Sequence, residues 1–225
     1  MFNIKNTFIA GLVRAKISWA QEGEDLILER LFGKNITDGF YVDIGAHHPY
    51  RFSNTYRFYR RGWSGINVDA LPGTAKLFHS KRPRDITVEC GVADKSSSLT
   101  YHVFNEPALN TFSLEEANKK NVTPYRIIKT LQIPVRPLVD ILDEHLPENT
   151  IIDFMSVDVE GFDYQVILSN DWIKYRPKIV LVELLRADIK DFLNVPIYQL
   201  LIKNNYNLLA KTMNTAFFIA DEARF

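Results

Sequence analysis

Internal disulfides are excluded, because the 225-residue chain has one cysteine, Cys90. That residue lies in an apolar, strand-like stretch and reads as buried packing in a reducing compartment, with the cytoplasm as the expected location. Net charge is missing too: 27 Lys+Arg stand against 27 Asp+Glu, so wrapping nucleic acid by bulk charge is not expected. No apolar run approaches the roughly 18 residues that a membrane span needs. The composition that remains, 46% apolar and 24% charged, is ordinary for a globular protein and excludes disordered and fibrous classes. The length suits one domain of the larger kind with at most a small appendage.

Residues 1–17 place Ile4, Phe8, Ile9, Leu12 and Val13 on one helical stripe. They lack the longer apolar block and small-residue cleavage site of a secretory signal. This N-terminal helix is expected to pack on its own domain or on a second subunit, as in a homodimer. A helix lying on a membrane surface is the alternative. Residues 18–225 then form the main domain. Helical patterns over Trp19–Phe32 (with Ser18 as N-cap), Ser53–Arg61, Leu71–Ser80, Leu138–His145, Phe162–Leu168 and Ile197–Asn204 alternate with short apolar strands. The strands fall at Phe40–Ile44, Gly65–Val68, Ile86–Cys90, Ile151–Val157 and Lys178–Leu184, with an added strand at Ser98–Phe104. Such alternation implies an α/β fold with a mostly parallel, Rossmann-like sheet covered on both faces. Tyr206–Ala210 and Ala216–Ala220 are joined by too short a link to be parallel, so they close the domain as an antiparallel hairpin. The stretch 105–136, punctuated by Pro107, Pro124 and Pro134 and followed by Pro137, reads as an irregular lid or substrate-facing insertion.

Ligands of such sheets bind beyond the carboxyl ends of the strands. Four segments meet that condition: Asp43–His48, Asp69–Ala70, Gly91–Asp94 and Asp158–Asp163. The first has only Gly45 where a dinucleotide site needs several glycines, and it puts Ala46, His47 and His48 after the turn with Asp43 before it. A carboxylate there repels a pyrophosphate and suits a ligand with a positive centre, such as the sulfonium of S-adenosylmethionine. Asp69 can accept from a ribose diol or cap the following helix. The small residues after Cys90, namely Gly91, Val92 and Ala93, leave room for an adenine ring or form a plain turn. Asp158 and Glu160, two apart in a strand, are expected in one pocket, where they need a cation or a hydroxyl to meet them.

The segments Gln21-Glu-Gly-Glu-Asp25, Val42-Asp-Ile-Gly-Ala46, Ser53-Asn-Thr55, Gly62-Trp-Ser-Gly-Ile66 and Asp158-Val-Glu-Gly161 together resemble the FkbM family of S-adenosylmethionine-dependent methyltransferases. The resemblance runs from about residue 18 to 185 and implies a seven-stranded methyltransferase sheet. It implies O-methylation, commonly of sugar hydroxyls in natural products or surface polysaccharides, with a nucleotide-linked sugar as one acceptor form. By the same resemblance Asp43, Gly45, Asn54, Asp69 and Asp158 line the cofactor pocket, with Gln21 or Glu24 closing over it. Ala46, Ala70, Gly91 and Val92 stand beside them at the strand ends. Ala70 departs from what many relatives carry.

Methyl transfer to a hydroxyl requires positioning and the removal of one proton. The candidate bases are His47, His48, Asp158 and Glu160. Histidine titrates nearest neutrality, whereas a carboxylate beside a sulfonium is a weaker base. Asp158 is therefore assigned mainly to electrostatics, and Glu160 and one histidine to the acceptor. A divalent Mg²⁺ or Mn²⁺ held by Asp158, Glu160 and a histidine is a less favoured alternative, and no metal ligand is assigned. Between Arg51 and Arg84 eight basic residues face one acid, Asp69; the pattern reads as a solvated helical face, part of which can meet a sugar diphosphate. Tyr125 and Lys129 have the spacing of short-chain dehydrogenases and sugar epimerases, which also need the glycine-rich turn that Asp43–Pro49 lacks. A non-catalytic adapter keeping the pocket as scaffold is the remaining competitor, along with methylation of a non-sugar hydroxyl.

Overall fold

The computed structural model describes residues 16–185 and 191–225. The N-terminal stripe of residues 1–15 lies outside them. The chain runs α1 (Glu24–Phe32), β1 (Phe40–Ile44), α2 (Tyr56–Tyr59), β2 (Ser64–Asp69), α3 (Thr74–Lys81), β3 (Ile86–Glu89), β4 (Gly91–Val92) and β5 (Ser97–Phe104). It continues through α4 (Leu114–Lys120), β6 (Ile127–Arg136), α5 (Leu138–His145), β7 (Phe154–Val157), α6 (Asp163–Leu168), β8 (Ile179–Glu183), α7 (Pro196–Lys203), β9 (Tyr206–Lys211) and β10 (Thr215–Ala220). Seven strands form one sheet in the order β3-β2-β1-β7-β8-β10-β9, in which β10 alone runs against both of its neighbours. The mostly parallel sheet and its closing hairpin are those read from the sequence.

Strand parity assigns the side chains to two covered faces. Val42, Ile44, Val180, Val182 and Phe218 pack in the larger core with Leu138, Ile141 and Leu142 of α5 and Val166 of α6. Tyr41, Ile179, Leu181 and Phe217 pack with Leu28, Phe32, Phe58 and Trp63 in the smaller one. Asp43 shares the parity of Tyr41, which fixes the direction of its carboxylate.

Two expectations are corrected. Helix α1 starts at Glu24 and not at Trp19, because Gly23 precedes it with φ +87°, outside helical space. Ser18 is no N-cap: its hydroxyl donates to Asp25 at 2.5 Å. The second concerns residues 105–136, which are not irregular. They hold α4 and β6, and β6 pairs antiparallel with β5 and parallel with β4 in a separate three-stranded sheet. The strand at Ser97–Phe104 therefore belongs to this small sheet and not to the main one. Pro134 does not break β6, because β4 meets only Val135 and Arg136, leaving the strand one-sided before them.

Candidate active site

A crevice of about 290 Å³ opens at the carboxyl ends of β1, β2, β4 and β7. Its apolar floor includes Ile44, Val68, Cys90 and Val92, and residues of the small sheet, Tyr101 and Glu106–Asn110 among them, form the facing wall. Burial holds the Cys90 thiol up at about 11, so it packs as a neutral group.

The turn after β1 is dictated by Gly45, whose φ is +82° and whose missing Cβ would lie 1.8 Å from the carbonyl oxygen of Asp158. Only glycine lets the ends of β1 and β7 approach this closely. Its amide and that of Ala46 donate to the Val68 carbonyl. The loop after β7 is organised by Asp163, whose carboxylate accepts from the amides of Val159 and Gly161, both at 3.1 Å. Thr111 donates to the Glu160 carbonyl at 2.7 Å and ties this loop to the small sheet. Glu160 itself has φ +56°, so strand alternation ends at Val157. Asp158 and Glu160 both line the crevice because of this loop, not because of strand parity.

Of the residues singled out from sequence, Gln21, Gly45, His47, Asp69, Ala70, Gly91, Val92, Asp158 and Glu160 line the crevice. Asp69 accepts from the His47 amide through Oδ2 and from Leu71 and Thr74 through Oδ1, so it does brace the loop before α3. Its Oδ2 retains capacity for a further donor. His47 has an imidazole pushed down to about 4 by burial and by Arg51, so it is neutral at pH 7. His48 does not line the crevice: its Nδ1 accepts from the amides of Tyr50 and Arg51 and closes the turn. Ala46 is buried and does not line the crevice either. Asn54 donates to Ser156 at 3.0 Å and lines a small adjoining cavity with Gln21, Glu24 and Glu183.

Asp43 lies behind the crevice wall. Thr55 donates to it at 2.9 Å, and Arg82, fully buried, donates to Thr55 and to Tyr41 and pairs with Asp85 at 2.7 Å. The carboxylates facing the crevice are Asp69, Asp158 and Glu160, three of those read from the sequence, together with Glu106. The basic run 51–84 is a solvated face only in part: Arg51, Arg60, Lys76, Lys81 and Arg84 are exposed, whereas the other three are drawn inward. Arg82 is buried, Arg57 and Arg61 pair with Glu29, and Arg51 makes a two-point pair with Glu106 at 2.8 and 3.0 Å.

Besides Glu106, the sequence reading missed Glu183, at the end of β8. Oxygens of Asp158, Glu160 and Glu183 lie within 4.8 Å of one another. Lys120 bonds Glu160, whereas Asp158 Oδ1 is inaccessible and has no partner among the described residues. Burial holds all three carboxyls above the usual range; repulsion from Glu160 adds to it at Asp158, and repulsion from Asp158 and Glu160 helps to hold Glu183 at about 10. Neither histidine joins this group. Such a set suits a positive charge beyond the one that Lys120, among the described residues, brings to Glu160. The signal was available: an acid ending a buried apolar strand is the rule that identified Asp69 and Asp158.

Among known proteins, the sequence profile of a family described as the methyltransferase FkbM domain matches residues 43–208. Proteins of curated function give no match. Similar solved structures include a TehB-like SAM-dependent methyltransferase from Corynebacterium glutamicum, 9% identical with a TM-score of 0.43, covering 97% of this chain and 96% of that one. An O-methyltransferase from Bacillus cereus in complex with SAH is 12% identical with a TM-score of 0.45, over 96% and 86% of the two chains. Fibrillarin from Aeropyrum pernix with natively bound S-adenosyl-L-methionine is 10% identical with a TM-score of 0.46, over 86% and 71%.

Proposed function

The chain belongs to the methyltransferase FkbM domain family, and from that membership we propose that it methylates a sugar hydroxyl, in a nucleotide-linked sugar or a surface-polysaccharide precursor, using S-adenosylmethionine. The observation that carries this reading is Asp158 Oδ1, without a partner among the described residues, in a crevice walled by carboxylates. When bound, the donor supplies a methyl group on a positively charged sulfur. The residues suit it: Asp158 offers charge to the sulfonium, Asp69 Oδ2 has capacity for a ribose hydroxyl, and the apolar wall of Leu71, Val92 and Phe112 suits an adenine. Gln21 and Gly45 line the same crevice, and Asn54 the cavity beside it.

The acceptor side is polar with exposed rings. Phe52 and Tyr125, each roughly two-fifths exposed, stand at the crevice beside Arg51, Glu106 and His47. Aromatic faces with a few ionic donors and acceptors suit a polyhydroxylated ring. His47, uncharged at neutral pH, can accept a hydrogen bond from an acceptor hydroxyl. The pairing of Glu160 with Lys120 makes it an orienting group for that hydroxyl.

The test combines calorimetry of S-adenosylmethionine against a nicotinamide dinucleotide with mass spectrometry of nucleotide sugars incubated with the donor. One added methylene mass on a sugar is the expected result. Methylation of non-sugar hydroxyls alone would transfer the reading to a natural-product acceptor, and absence of donor binding would leave an adapter. Asp158→Asn is expected to weaken donor binding roughly 10- to 100-fold, the loss of a charge-assisted contact. The effect should be larger for the sulfonium donor than for its neutral thioether product, and equal effects on the two would contradict the assignment of Asp158.

A further inference from the structure

The crevice and the small cavity beside it meet at Asp158, and Glu183 faces that cavity from the end of β8. Glu183 also borders a groove on its other side, lined by Gly161, Tyr164 and Pro196. Among the described residues no donor meets its carboxylate, and none meets Asp158 Oδ1. Among the described residues the charges around it are mostly of its own sign: Asp158, Glu160 and Asp163 raise its proton affinity, and Lys120, already bonded to Glu160, opposes them. Across the small cavity Glu24 is tied to Thr215, and Glu22 to the Asn214 amide. Tyr164 is the titratable group on the groove side.

We propose that Glu183, acting with Asp158, is the proton store of this site: the pair holds a proton in the free protein, releases it when a cationic methyl donor enters, and receives the acceptor's hydroxyl proton when that positive charge disappears. The inference rests on the methyltransferase reading above. Two neighbouring carboxylates that share little compensating charge cannot both remain ionised without a cation. A sulfonium supplies one. In the transfer the acceptor oxygen bonds to the methyl carbon, the carbon–sulfur electron pair stays on sulfur, and the hydroxyl proton passes to the carboxylate. One positive and one negative charge vanish together, so the site regains its proton at the step that produces one. The arrangement makes proton uptake follow the chemistry, without a base whose ordinary range lies near neutrality. Glu183 thus shares the returning proton with Asp158, and its signature is proton linkage.

The experiment is calorimetric titration of the full chain, treated with a chelator, with S-adenosylmethionine and with its demethylated product, in buffers of differing ionisation enthalpy near neutral pH. The expected result is that the donor releases about one proton more than the product does, and that Glu183→Gln removes most of that gap while product affinity stays within about twofold. An unchanged gap in the variant overturns the proposal. A measurement on the unmodified protein stands independent of the variant's folding: the ratio of donor to product affinity should rise with pH, approaching tenfold per unit between about pH 6 and about pH 9. A flat ratio also overturns it. If the donor binds and no linkage appears, this inference alone fails; if neither ligand binds, the methyltransferase reading fails and takes the inference with it.

Discussion

Arg82→Met will lower the unfolding free energy by about 3–5 kcal/mol, the usual effect of breaking a buried ion pair by removing one partner. Arg82 has no exposed surface, pairs with Asp85, donates to Thr55, Tyr41 and the Pro49 carbonyl, and sits between the rings of Tyr41, Tyr59 and Phe78. Methionine fills much of the space and leaves the buried Asp85 carboxyl without its cationic partner. A whole domain is stable by about 5–15 kcal/mol, so the loss is a large share. Denaturant titration measures it, and a change under about 1 kcal/mol would show that the network contributes little.

The same variant has a pH signature whose sign follows from Asp43. Burial raises that carboxyl from 3.8 to about 6, with Arg82 the largest opposing influence. A folded-state value above the unfolded one means that the native state holds more protons, so stability falls as pH rises through that window. In the wild type the part of the decline that belongs to Asp43 lies between about pH 4 and about pH 6. Without Arg82 the folded value rises further, and the decline should extend above pH 6. Superimposable pH profiles would contradict the coupling.

How this network escaped the sequence reading is instructive. Arg82 and Asp85 lie in a short polar segment, Lys81-Arg-Pro-Arg-Asp85, with no apolar periodicity to mark either as buried. Charge alone cannot distinguish Arg82 from Arg84, whose guanidinium packs on the Tyr59 ring. Asp43 was legible in part: its place before the turn was clear, and strand parity with Tyr41 already directs its carboxylate to the side where Arg82 lies. The main sheet was legible almost throughout, because a buried parallel strand is a short apolar run ended by small or acidic residues. Phe40–Ile44 and Phe154–Val157 are such runs. The small sheet was not. In β6 exposed and buried positions mix, and Pro134 falls inside it, since it is covered on one side over most of its length. The Asp158–Asp163 loop shows a third case, where the right residues were grouped on the wrong geometry: Asp163 folds the loop, and its role is visible only once the two amides converge on it.

Gly45→Ala is expected to abolish donor binding and to destabilise the fold by more than about 3 kcal/mol. Two separate penalties combine. Alanine at φ +82° costs about 1–2 kcal/mol for the left-handed backbone. The larger part is collision, because the new methyl would stand 1.8 Å from the Asp158 oxygen, 2.8 Å from its carbonyl carbon and 3.3 Å from Val159 Cγ1. Neither backbone can yield without parting β1 from β7, where the Asp158 amide donates to the Ile44 carbonyl at 3.0 Å. That separation would draw Asp158 away from Gly45 and distort the crevice they share. Gly73 provides the control: it has φ +99°, and a methyl added there would meet nothing within 4 Å, so Gly73→Ala carries the backbone penalty alone. Denaturation of both variants, with donor calorimetry on each, separates the two terms. Gly73→Ala should lose roughly 1–2 kcal/mol and keep donor affinity. Equal losses in the two variants would mean that the approach of the strand ends is not what requires glycine at position 45.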